Sequence, residues 1–167
     1  MHEMELIGVR VEMPTNAPMV LLREREGEGR TIPIYIGAPE ATAIALALDG
    51  VDTPRPMTHD LMREMLEELA VDVERIVVTD LHDKTFFAEI HMRRDGEAHI
   101  ISSRPSDAIA LAARTGTPIF AETSVIDDVG FTESDDDDDE PDGPPSEEVV
   151  EEFKEFLDNI NPEDFEV

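Results

Sequence analysis

One short stretch constrains this chain more than any other: Ile100-Ile101-Ser102-Ser103-Arg104-Pro105-Ser106-Asp107-Ala108-Ile109-Ala110-Leu111-Ala112. A residue before proline is pushed out of the helical region, so Arg104 is expected to be extended and to sit at a helix N-cap. Pro105 suits the first helical position, where its missing N–H costs nothing. A strand is thus predicted to hand over directly to an alanine-rich helix. Ser106 and Asp107 fall in its first turn, beside amides that no helical carbonyl can reach. Guanidinium, hydroxyl and carboxylate gather at one helix N-terminus, a place that favours anions. A plain capping account covers the same residues: Asp107 complements the helix dipole and pairs with Arg104, while small alanines let the helix pack closely on a sheet.

The rest of the chain supplies that sheet. Glu5–Met13, Met19–Arg23 and Thr31–Ile36 read as strands of an opening meander, with Pro33 confined to an edge or a bulge because it cannot donate to a ladder. Ala41–Leu48 is a helix of small and aliphatic residues, expected to be buried on most sides. Thr58, as cap, opens a second helix running to Leu69, with Leu61, Met62, Met65, Leu66 and Leu69 at helical spacing. Val71–Leu81, Thr85–Met92 and Ala98–Ser102 read as three further strands. Gly116 suits the left-handed position that ends the next helix. Thr117–Ala121 is a short strand, and Glu122–Val129 a last turn or short helix. The expectation is an α+β fold: mainly antiparallel sheet packed with a few helices, in a single compact domain (1–130) with an acidic C-terminal tail. Residues 131–145 read as an acidic disordered linker that cannot bury apolar area, and 146–167 as an acidic amphipathic helix and tail.

Charge narrows the function. Residues 1–126 hold 22 acids and 12 bases, and residues 127–167 hold 19 acids and one lysine, within a net charge of −28. Acid excess with only two lysines, spread over body and tail, points to a halophilic protein of haloarchaeal type, since short Debye lengths screen the repulsion. Such a surface argues against broad phosphate-backbone binding, which relies on lysine and arginine displacing counterions. Without cysteine there is no disulfide framework and no thiolate chemistry. The N-terminus carries no basic region followed by an apolar run, and no stretch approaches transmembrane length; a cytoplasmic protein without membrane association is expected.

No glycine-rich phosphate loop, His-Glu-x-x-His motif or nucleophile elbow is present. Chemistry would have to be assembled from separate segments. The candidates are Glu40 at one helix start, His59 and Asp60 at a second, and Arg104, Ser106 and Asp107 at a third. Convergence of those three starts would put acid, base and cation in one polar pocket, able to bind magnesium or manganese. His82 and His91, in a hairpin turn and its strand, are not chosen.

Four blocks carry a resemblance. Pro33-Ile34-Tyr35-Ile36-Gly37 with Glu40-Ala41, then Arg55-Pro56-Met57-Thr58-His59-Asp60-Leu61, then Phe86-Phe87-Ala88, and finally Arg104–Ala112 together resemble the bifunctional nuclease domain family over roughly residues 3–127. The resemblance implies an α+β domain, a homo-oligomer, and nuclease activity on DNA and RNA. The family pattern often has an acid two residues before the arginine, where this chain has Ser102. The rival expectation is a non-catalytic oligomeric binding or regulatory module in which the same residues cap helices and stitch subunits.

Overall fold

The computed structural model describes residues 1–132. The segments expected as linker and C-terminal helix lie, from residue 133 onward, outside the described residues.

Seven strands form one mixed sheet: β1 (His2–Glu12), β2 (Ala17–Glu24), β3 (Thr31–Tyr35), β4 (Asp72–His82), β5 (Thr85–Arg94), β6 (Glu97–Ser103) and β7 (Ile119–Ala121), in the order β3-β2-β1-β7-β4-β5-β6. Two antiparallel meanders, β1–β3 and β4–β6, are joined through β7. That strand pairs antiparallel with β1 and parallel with β4. Three residues suffice at the centre because Ile119 and Ala121 are buried between neighbours on both sides. Pro33 lies in β3, an edge strand, as its missing donor requires.

Four helices accompany the sheet: α1 (Ala38–Leu48), α2 (Thr58–Glu68), α3 (Pro105–Thr115) and α4 (Thr123–Val129). The α+β class and the mainly antiparallel sheet stand as expected. Helix α3 is the most enclosed, with Ala108, Ile109, Ala110, Leu111 and Ala112 all buried in the common core. Its alanines let α1 and α2 come close, and both pack on it. Arg104 is extended at the α3 N-cap, Pro105 follows, and Gly116 ends the helix at φ 69°.

One expectation fails on packing. Helix α1 is not buried on most sides: Ala41, Ala43 and Ile44 are buried, while Thr42 and Leu48 are exposed. Since α3 takes the central position, α1 needs only one face. The apolar stripe of α2 is likewise divided, with Met62 and Leu66 against the core and Leu61, Met65 and Leu69 exposed. Thr58 does not cap α2 either. It lies inside the first turn, Met57 holds the N-cap position, and Asp60 reaches back so that its Oδ2 accepts from the Met57 N–H at 2.9 Å.

The β2–β3 hairpin is fastened by a buried carboxylate. Glu24, 4 % exposed, accepts from Arg30 Nε at 3.0 Å and from Nη2 at 3.1 Å, and also from the Arg30 backbone N–H. Arg30 Nη1 reaches Asp127 on α4 at 2.8 Å, and His2 of β1 contacts the same Glu24 at 3.1 Å. Phe131 bridges to Thr31 beside it.

Candidate functional site

Three of the four helix starts meet. Arg104, at the mouth of α3, donates from Nε to Asp107 Oδ2 at 2.8 Å and from Nη2 to Asp107 Oδ1 at 3.1 Å. The same Nη2 donates to Glu40 Oε1, in the first turn of α1, at 2.7 Å. From α2, His59 Nε2 lies 3.1 Å from Asp107 Oδ1. Glu40, His59, Arg104 and Asp107 therefore form one connected cluster.

The protonation states follow from these partners. Burial works to raise the Asp107 carboxyl, but hydrogen bonds from Arg104 and His59 outweigh it and hold the group below the ordinary carboxylate range. Glu40 is held low by its own backbone N–H and then by Arg104. An ionised carboxylate only accepts, so His59 Nε2 carries the hydrogen that faces Asp107. Arg104 in turn is held more firmly protonated by Asp107 and Glu40.

Asp60 is not part of the cluster. It pairs with Arg114, whose side chain is nearly buried and also donates to the Ala110 carbonyl at 2.8 Å. Hydrogen bonding to Arg114 holds the Asp60 carboxyl low. His59 and Asp60 thus straddle α3, one reaching its first turn and the other its last; the seven helical steps from Asp107 to Arg114 span about 10 Å. Adjacent positions in the sequence serve different ends of one helix.

Beside Arg104 opens a cavity of about 350 Å³, lined among others by Tyr35, Gly37, Lys84, Phe86, Arg104 and Ser106. Ser106 is 6 % exposed and makes no side-chain hydrogen bond among the described residues. His59 is buried behind Asp107, and of the four cluster residues only Arg104 lines the cavity. Ser102 is exposed on β6, opposite Glu89. No group of three or more His, Asp or Glu side chains placed to hold a metal occurs among the described residues. Glu40 and Asp107, both touching one guanidinium nitrogen, are the hard oxygen donors nearest to such a role.

Sequence reasoning missed the cavity wall and one positioning glycine. Gly37 caps α1 at φ −73°, and a Cβ there would sit 2.3 Å from Glu40 Oε2. The residue is glycine because the Glu40 carboxylate folds back over it. The expected result for Gly37→Ala is a folded protein with an unchanged thermal midpoint and Glu40 displaced from Arg104, read in a structure of the variant.

An α+β domain thus brings a guanidinium, two carboxylates and a histidine from three helix starts to one place, with the guanidinium at the wall of a cavity. The bifunctional nuclease domain matches residues 20–134, which include every member of the cluster, and the chain belongs to that family. An uncharacterized protein of Mycobacterium tuberculosis (strain H37Rv) is 43 % identical over 165 residues, covering 99 % of this chain and 98 % of that protein. Bifunctional nuclease 1 of Arabidopsis thaliana is 29 % identical over 105 residues, 61 % of this chain and 32 % of the plant protein. Bifunctional nuclease 2 of the same plant is 28 % identical, covering 64 % and 34 % respectively. The chain thus spans about a third of those plant relatives. Among the described residues, no helix is long and apolar enough to cross a membrane.

Proposed function

We propose that the chain is a nuclease that hydrolyses phosphodiester bonds in DNA or RNA at the Arg104 cluster. The observation that carries this reading is that Arg104 pairs with Asp107 yet stays 65 % exposed at the wall of a cavity, so the pair is not sealed off as a structural cap would be. Arg104 binds the scissile phosphate, with Ser106 as a second donor. Asp107, held ionised by Arg104, and Glu40 orient the attacking water. As the water oxygen bonds to phosphorus and the ester P–O bond breaks, the water's proton goes to a carboxylate and the leaving oxygen takes one from solvent. His59 is a positioning residue that fixes the Asp107 carboxylate.

Magnesium or manganese belongs to the proposal. Glu40 and Asp107 would hold the ion together with phosphate oxygens, because magnesium needs few protein ligands when substrate supplies the rest. When bound, the ion would neutralise phosphate charge. The test is hydrolysis of end-labelled DNA and RNA by the full chain, with either metal and with chelator. Product is expected, and none under any condition contradicts the reading.

The second reading, a non-catalytic oligomeric module, rests on the exposed apolar surface: Leu61, Met65 and Leu69 on α2 and Ile100 and Ile101 on the β6 edge. Contact between copies at these places is compatible with the nuclease reading too. We also propose a salt-adapted protein on the strength of the net charge of −28. Raising sodium chloride from about 0.1 M to about 2 M should raise the thermal midpoint by several degrees as repulsion is screened. A falling midpoint would contradict salt adaptation.

A further inference from the structure

Resting on the nuclease reading, we propose that the cavity beside Arg104 receives one unpaired nucleotide, so that the substrate is a single strand or frayed end and not an intact duplex. Its volume of about 350 Å³ is at the small end for sites that enclose a ligand, and an intact double helix cannot enter it. Two of its walls are aromatic. Tyr35 is 55 % exposed on an edge strand, and its hydroxyl donates to Glu12 Oε1 at 2.7 Å, which holds the ring in place. Phe86 packs against the core at its other end. A flat, sequence-tolerant face of this kind is what a splayed base stacks on.

The polar groups suit one or two phosphates. Arg104 uses Nε and Nη2 on the carboxylates, and its Nη1 makes no hydrogen bond among the described residues. Lys84, lining the cavity, makes no ion pair among the described residues although acids far outnumber bases. Ser106 is more than nine-tenths buried, lines the cavity and has no protein partner there. An intact duplex presents a phosphate about every 1.7 Å along its axis and needs a track of cations. Beyond Arg104 and Lys84 the cavity residues include no other base. Stacking of a lone base with a few charged contacts at its phosphate is the mode this surface can provide.

The experiment is fluorescence anisotropy with full-length protein in chelator, using labelled ten-nucleotide oligo-dT and a blunt ten-base-pair duplex. The strand should bind at least about tenfold tighter than the duplex. Tyr35→Ala and Lys84→Glu should each weaken it by about tenfold, while Tyr35→Phe, which keeps the ring but loses its tether to Glu12, should weaken it clearly less than Tyr35→Ala does. Affinity for the strand should fall only about sevenfold between about 50 and 200 mM salt, the slope for two phosphates. Equal binding of duplex and strand, unchanged binding by a folded Tyr35→Ala variant, or no binding of either probe would overturn the proposal. Strand-selective binding without hydrolysis would remove the nuclease reading and leave this one. Hydrolysis of both forms at equal rates would do the reverse.

Discussion

Arg104→Ala is expected to lower kcat/KM for nucleic-acid hydrolysis by about 100- to 1,000-fold, the usual cost of removing one preorganised donor to a developing phosphate charge. Arg104→Lys should recover little of it. One ammonium cannot hold Glu40 and Asp107 with separate nitrogens and still face the cavity, as the planar guanidinium does. Because Arg104 is largely exposed, the thermal midpoint should move by only a few degrees. The pH profile gives an independent reading. Glu40 and Asp107 both have folded pKa values below the ordinary carboxylate range, so they remain ionised as pH falls through that range. The acidic limb of activity should therefore lie below the ordinary carboxylate range in the wild type wherever the fold survives, and move up in Arg104→Ala, where both carboxylates lose their cation. An unshifted limb in the variant would mean that these groups do not set the rate.

Glu24→Ala is expected to destabilise by about 3–5 kcal/mol, because it removes the buried partner of the Arg30 guanidinium and leaves it only the exposed Glu28 and Asp127. The thermal midpoint should drop by roughly 10–20 °C. Glu28→Ala is the internal control: Glu28 also approaches Arg30, at 3.7 Å, but is 77 % exposed and should cost less than about 1 kcal/mol. Hydrogen bonding to Arg30 is the main reason the Glu24 carboxyl is held low. Its stabilisation is thus complete above the unfolded value near pH 4.3 and is lost as pH falls through the lower folded value. Equal midpoint shifts for the two variants, measured by thermal melting at neutral pH, would refute this account of the hairpin.

What was legible in the sequence is what local sterics decide. Proline after Arg104, alanines through α3 and Gly116 at its end each act within a turn or two, and the strand-to-helix handover follows from them. The Glu24–Arg30 fastening was not legible. It depends on His2 and Asp127, brought in from opposite ends of the domain, and the local pattern showed only a charged turn. The candidate site divides in the same way. Glu40, Asp60 and Asp107 are all first-turn acids with the same local signature, yet helix placement sends Asp60 to Arg114 and the other two to Arg104. His59 was recognisable as a polar residue at a helix start, but not as a group enclosed behind Asp107. Lys84, Tyr35 and Phe86 belong to different hairpins, and only the folded sheet brings them to one cavity.

Hydrolysis of phosphodiester bonds is the role proposed for the Arg104 cluster. Turnover of an end-labelled single-stranded oligonucleotide by full-length wild type and Asp107→Asn, side by side at matched thermal stability, tests it most directly. Product is expected from the wild type, with at least a 100-fold slower rate from the variant. Equal rates from the two proteins, or no product from the wild type, would contradict that role.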